Sequence, residues 1–105
     1  ILKTTNSGQF SYLSILPDKT RGNHYHNSKT EKFLLVKGKA KIKFLQVDTL
    51  EKYEIIVDGN KPEIVETIPG WAHSIKNIGK EEAIVVIWAN EIFDNSNPDT
   101  FAHQV

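Results

Sequence analysis

Cysteine is absent from this chain. No disulfide and no thiolate metal site is therefore available, though the absence says nothing positive about compartment. An excess of charge of one sign is absent too. The 13 basic and 13 acidic residues cancel and are mixed along the 105 positions, which argues against nucleic acid or an anionic membrane as a partner. No apolar run nears the roughly 18 residues of a membrane helix, and no signal-peptide pattern opens the chain. A soluble, cytoplasmic protein is the expectation. Repeats, linkers, low-complexity segments and long amphipathic helices are also missing. The length supports one domain, residues 1–105, with a modest core. The first residue is Ile1 rather than Met, so the chain is expected to be a fragment of a longer polypeptide.

What is present reads as strand after strand. Phe10 to Leu16 alternates, and Pro17-Asp18-Lys19-Thr20 closes it with turn residues. Arg21 to His26 and Glu31 to Val36 follow, the latter ended by Lys37-Gly38-Lys39. Ala40 to Leu45 alternates apolar and basic, as a strand with one face in water does. Tyr53 to Val57 leads into the turn Asp58-Gly59-Asn60. Pro62 begins the strand Glu63 to Ile68, and His73 to Ile78 is another. Ala83 to Trp88 is continuously apolar, which predicts a strand covered on both faces. Asn95 to Asp99 reads as a loop. Short strands with regular turn punctuation predict a sandwich or a barrel.

Three of the four histidines sit in two short patterns. His24-Tyr25-His26 is followed by four residues, Glu31, six residues and Gly38. Far downstream, Pro69-Gly70-Trp71-Ala72-His73 is followed by Asn77. A strand period of two puts His24 and His26 on one face, with Cα atoms about 6.6 Å apart, near enough to chelate one ion. The polar turn Asn27-Ser28-Lys29-Thr30 can return Glu31 beside them on the next strand, and His73 completes the set from a distant one. Neutral imidazoles and one carboxylate bind a borderline divalent ion at roughly 2.0–2.2 Å. The set suits zinc, iron, manganese or nickel, and without sulfur it does not choose among them; zinc is the leading expectation. The competing reading is a barrel whose polar interior side chains hydrogen-bond without metal. A bound metal could be catalytic or structural.

Other polar residues have two readings each. Tyr12 and Tyr25 are candidate general acids or ordinary half-buried aromatics. If His24 and His26 point inward, Tyr25 points out. Arg21, Lys39, Lys41 and Lys43 could hold a phosphate, but a solvated strand face explains the alternating lysines better. Asn90-Glu91 follows an apolar strand, where the carboxylate is a candidate base and a capping or interface role is the alternative. His103, in the tail, is expected to be solvated.

The pattern from His24 to Gly38 resembles the first motif of the cupins, and Gly70, His73 and Asn77 resemble the second. Two turn positions depart from those motifs. Asp18 stands where a glycine is usual, and Ile68 where a proline is usual. The motifs choose an all-β, jelly-roll-like cupin barrel. More specifically, Arg21 to Leu34, Ile68 to Ile75, Trp88 to Asp94 and Asn97 to Thr100 resemble the C-terminal cupin domain of CapF-type capsular polysaccharide assembly proteins. Such proteins are bifunctional enzymes of nucleotide sugars. The resemblance implies an N-terminal short-chain dehydrogenase domain, outside this chain, that reduces a 4-keto sugar with a nicotinamide cofactor. It implies that the cupin domain acts in the preceding C3 epimerisation of a UDP-linked 2-acetamido-2,6-dideoxy-4-hexulose, and that it forms a homodimer. By position, His24, His26, Glu31 and His73 would be the metal ligands. Neither Gly-x-Gly-x2-Gly nor Gly-x2-Gly-x2-Gly opens the chain, so nicotinamide binding is not expected of it. A short strand expected before Ile1 lies outside the sequence.

The chemistry implied is proton exchange at a carbon next to a ketone. It needs a base, a group that stabilises the enolate oxygen, and a proton donor on the other face. A metal with an open position serves as the Lewis acid, and Glu91 and Tyr12 are the candidates for proton transfer. Two rivals stand beside this reading: a closed zinc site that staples a dimerising barrel, and a mononuclear iron oxygenase.

Overall fold

The protein is described here by a computed structural model covering residues 8–91, 96 and 98–105. Its regular elements are strands: β1 Gln9–Ile15, β2 Thr20–Tyr25, β3 Glu31–Lys37, β4 Lys39–Gln46, β5 Lys52–Asp58, β6 Ile64–Thr67, β7 Trp71–Asn77, β8 Ala83–Ala89 and β9 Phe101–Ala102. No helix occurs among the described residues. The all-β expectation therefore holds.

The strands form two antiparallel sheets, ordered β1-β8-β3-β6 and β5-β4-β7-β2-β9. The alternation along each strand decides what lies between them. On β4, Ala40, Ile42 and Phe44 are buried while Lys39 and Lys43 face water. Phe33 and Leu35 of β3, Val85 of β8, Val57 of β5 and Ile75 of β7 meet these residues in one core. Burying each such side chain stabilises the fold by about 1.5–3 kcal/mol.

Two turn positions explain departures from the expected motif. Asp18 has φ 66°, a left-handed conformation that glycine adopts freely and aspartate tolerates. Gly22 has φ 104°, and a Cβ there would stand 2.7 Å from the carbonyl oxygen of His73. That contact requires glycine, because here β2 bulges against β7 between Gly22 and His24.

Several expectations need correction. β2 ends at Tyr25, so His26 lies just past the strand. Glu31 begins β3, which belongs to the other sheet, so it faces the histidines across the sandwich rather than pairing beside them. β6 is shorter than expected, because Lys61 bridges back to Asp58 and Pro62 lies outside the strand. Ala83 to Trp88 is not covered on both faces: Val86 and Trp88 are only half-buried. His103 is not simply solvated: it is half-buried, with its ring 6.1 Å from that of Tyr25. β9 pairs with His24 and Tyr25, and the His103 N–H donates to the Asn23 carbonyl at 2.8 Å. Of the expected tail loop and the segments used for the resemblance, residues 92–95 and 97 lie outside the described residues.

Candidate metal centre

Each expected ligand is placed by a different constraint. His73 lies on β7 with His24 opposite it on β2 and Phe44 opposite it on β4. His26 follows β2, and its carbonyl accepts the Gly70 N–H at 2.9 Å, which ties the two sequence patterns together. Glu31 enters from β3 of the facing sheet.

The four side chains converge. Ring centroids are 4.7 Å apart for His24 and His73, 5.2 Å for His24 and His26, and 5.6 Å for His26 and His73. Glu31 Oε1 lies 2.9 Å from His26 Nε2 and 3.5 Å from His73 Nε2. One ligand atom from each of the four lies within 4.8 Å of the others. Bond lengths of 2.0–2.2 Å place ligand atoms roughly 3–4 Å apart, so the cluster closes on an ion by small side-chain adjustments. On the far side of the His26 ring, Nδ1 donates to the Asp99 carbonyl at 2.7 Å. That bond leaves Nε2 as the inward nitrogen, the usual outer-shell arrangement of a metal-binding histidine. Among the described residues, His73 Nδ1 and Thr67 Oγ1 are buried with no hydrogen-bond partner, which leaves room for a further polar group here. The residues fit a divalent metal.

The electrostatics fit the same use. Burial lowers the His73 pKa to about 4, helped by the nearby His24. The Glu31 charge and the Trp71 backbone oppose this without outweighing it. His24 is lowered by burial and by the charge of His26. Burial works against charge on His26 as well, but its bonds to Glu31 and the Asp99 carbonyl outweigh it and raise the pKa. Glu31 is desolvated, yet the His26 hydrogen bond and the surrounding imidazoles hold it below the usual carboxylate range. Two histidines kept neutral and one ionised carboxylate are a ready ligand set.

A cavity of about 210 Å³ reaches the cluster between β1 and β2, lined by Ser11, Leu13, Arg21, His24, Glu31 and His73 among others. Tyr12 contributes to the rim, with its residue surface 71 % exposed. Glu91, half-buried one residue beyond Asn90, is not among the lining residues. A larger cavity of about 490 Å³ opens at the opposite edge between β5 and β6. Its walls include Phe44, Tyr53, Ile55 and Trp71 and hold no histidine, whereas the smaller cavity reaches the histidine cluster. The lysines 39, 41 and 43 stay on the outer face of β4, where Lys41 pairs with Glu54 at 3.8 Å. Tyr25 stacks on Phe101, with centroids 5.3 Å apart, away from the histidine cluster.

Residues 1–101 match the family model described as the polysaccharide biosynthesis C-terminal domain. The chain belongs to that family. A protein of Pseudomonas aeruginosa named UDP-2-acetamido-2,6-beta-L-arabino-hexul-4-ose reductase is 55 % identical over 105 residues, which is all of this chain and 28 % of that protein. The capsular polysaccharide assembling protein CapF of Staphylococcus aureus superposes with a TM-score of 0.95 at 41 % identity, over 99 % of this chain and 30 % of its own. NovW of Streptomyces spheroides, a 4-keto-6-deoxy sugar epimerase, shares the fold at 14 % identity, with a TM-score of 0.76 over 88 % of this chain and 50 % of its own. The polysaccharide biosynthesis C-terminal domain thus spans less than a third of the first two relatives.

Two further residues of this polysaccharide biosynthesis C-terminal domain shape the centre without entering it. Asn90 and Thr30 bond reciprocally, Thr30 N–H to Asn90 Oδ1 at 2.9 Å and Asn90 N–H to the Thr30 carbonyl at 3.1 Å. The Asp99 carboxylate accepts from the backbone N–H groups of Asn27, Ser28 and Lys29, each at 3.0 Å. Although desolvation resists it, these bonds hold the Asp99 pKa down to about 2. Both residues lie in segments that carry the family resemblance, but neither was expected to bond to the turn that joins His26 to Glu31.

Proposed function

We propose that this domain binds one divalent metal, zinc first among the candidates, through His24, His26, Glu31 and His73, and uses it in C3 epimerisation of a UDP-linked 4-keto-2-acetamido-2,6-dideoxy sugar. A short-chain dehydrogenase domain elsewhere in the longer protein would then reduce the product. The observation that carries the reading is the convergence of three imidazoles and one carboxylate at the inner end of an accessible cavity. The name of the 55 % identical relative supports the substrate class, since it acts on a UDP-linked hexulose.

When bound, the ion supplies Lewis acidity toward the ketone oxygen, which acidifies the adjacent C–H. The chain's own residues do the rest. Glu31 and the Asp99 carbonyl orient the His26 ring. Leu13, Phe33 and Ile87 wall the cavity with apolar surface that limits water near a developing enolate. Tyr12 at the rim is the candidate for proton transfer, because it lines the same cavity. Glu91 lacks that placement and is the weaker candidate. Arg21 at the mouth offers a fixed positive charge for the diphosphate.

A purely structural ion is the second reading. It is favoured by the position of Glu31, which joins the centre from the opposite sheet. Solvent exchange separates the two. In deuterium oxide, the protein carrying this domain should place deuterium at C3 of the UDP-linked 4-keto sugar, and its His73→Ala variant should not. Metal-loaded, folded protein that leaves C3 unlabelled would sink the epimerase reading and leave the structural one.

We also propose that two copies pair through the outer face of the sheet β1-β8-β3-β6. Val86, Leu34 and Ile64 line up directly across three strands of that face. Phe10 and Trp88 flank them, and Phe10 and Ile64 are 75 % and 68 % exposed. This exposed apolar row, crossed by Lys32 over the Trp88 ring, suits a self-complementary contact. Light scattering should give twice the chain mass for the native protein and a monomer for Ile64→Glu. A native monomer at micromolar concentration would rule the pairing out.

A further inference from the structure

We propose that Asp99 is a positioning residue of the candidate metal centre, using its two kinds of oxygen on two parts of the site at once; this rests on the metal-binding reading above. Its main-chain carbonyl takes the Nδ1 proton of His26 at 2.7 Å. Its carboxylate caps the turn that joins His26 to Glu31. Oδ1 accepts from the Asn27 N–H, and Oδ2 accepts from the Ser28 N–H, the Lys29 N–H and the Ser28 hydroxyl, all at 3.0 Å. The two ends of that turn are the two residues whose side chains meet at 2.9 Å in the centre.

The consequence is specific. A neutral imidazole carries one proton, and a carbonyl oxygen accepts but does not donate. The Asp99 carbonyl therefore holds a proton on Nδ1, so that Nε2, whose proton goes to Glu31 at 2.9 Å in the metal-free fold, is the nitrogen that would be freed for an ion. Backbone N–H groups need partners, and the carboxylate supplies them to three consecutive residues that form no strand ladder. Asn90 holds the remaining residue of the turn, Thr30, through two bonds. Asp99 itself sits at φ 50°, a left-handed conformation that aspartate and asparagine adopt more readily than most residues. Both halves of the device depend on that backbone: the carbonyl faces His26 while the side chain turns back to residues 27–29.

Outer-shell partners of metal-binding histidines typically change metal affinity by about 10–100-fold. Asp99→Ala should weaken cobalt(II) binding by that factor and change the cobalt absorption spectrum. Circular dichroism should still show a folded protein at the titration temperature. Asp99→Asn keeps one acceptor oxygen and the left-handed preference, and should recover much of the affinity. In the metal-free protein at alkaline pH, nitrogen-15 shifts of the His26 ring should show a smaller share of the Nδ1–H tautomer in Asp99→Ala than in the native chain. Native-like cobalt affinity in a folded Asp99→Ala, within about two-fold, would overturn the proposal. If the native protein takes up no cobalt or zinc, the metal reading fails by itself. The ring shifts then decide the role of Asp99: a native tautomer pattern in Asp99→Ala rejects it, and a smaller Nδ1–H share upholds its hold on His26.

Discussion

His73→Ala should strip the protein of its stoichiometric metal. Purified without chelators, the native chain should carry about one divalent ion per chain by elemental analysis, and the variant none. The variant's affinity should fall by more than the roughly 100-fold seen for outer-shell changes, because a direct ligand is lost. The imidazole is 3 % exposed, and its ring is 5.5 Å from that of Phe33. Among the described residues it has no hydrogen-bond partner at Nδ1 to give up. The fold should therefore survive, at the usual cost of a buried large-to-small change. The same centre fixes the direction of the pH response. His26 has a raised pKa in the metal-free fold. Its protonated pair with Glu31 adds stability that is fully present below pH 6.5 and is lost as pH rises through the folded pKa. An incoming ion must displace that proton, so metal affinity should rise with pH across this range and fall below it. A His73→Ala protein that holds its ion as firmly as the native one would dismiss the four-ligand centre.

Asn77→Ala should do the opposite, unfolding the protein more easily while leaving the centre intact wherever the chain stays folded. Asn77 lies four residues beyond His73 and is fully buried. Its Nδ2 donates to the carbonyls of Ile15 and Glu81, and its Oδ1 accepts the Gly79 N–H, all at 2.8 Å. Those three bonds join the end of β1, the end of β7 and the turn before β8. Truncation removes all three and leaves a donor and two acceptors without partners, at about 1–3 kcal/mol for each group that water cannot reach. A loss of about 3 kcal/mol or more corresponds to a fall in Tm of roughly 10–20 °C for a domain of this size. Differential scanning calorimetry checks it. A Tm within a few degrees of native would mean that water replaces the side chain and that the clamp is dispensable.

The pair shows what the sequence pattern can and cannot disclose. The convergence of His24, His26, Glu31 and His73 was legible because side-chain types able to chelate an ion stand at the spacings of a known motif. Their convergence holds although the reasoning about Glu31 was incomplete. A strand period fixes which face a residue takes, but it does not say whether the next strand pairs alongside or crosses to the other sheet. Asn77 belonged to the pattern, but nothing local revealed that it serves the turn rather than the ion. Asp99 and Asn90 were invisible as clamps, because their partners lie 60–73 positions away in sequence. β9 escaped for a similar reason. Its two residues are strand only by pairing with His24 and Tyr25, a tertiary contact that propensity does not encode. The apolar run of β8 suggested a strand covered on both faces. The described chain covers the inner face well and leaves Val86 and Trp88 half-buried among exposed neighbours.

The strand order also bears on when the site can exist. Among the described strands, β1 hydrogen-bonds only to β8, and β2 only to β7 and β9. On a ribosome, the first two strands thus leave the exit tunnel long before their ladder partners are made. His24 and His26 emerge early and remain without a framework until the last third of the domain arrives. The pairings β3–β6 and β4–β5 can form earlier, but β1 and β2 cannot join a sheet until then, and the dominance of distant pairings predicts slow folding.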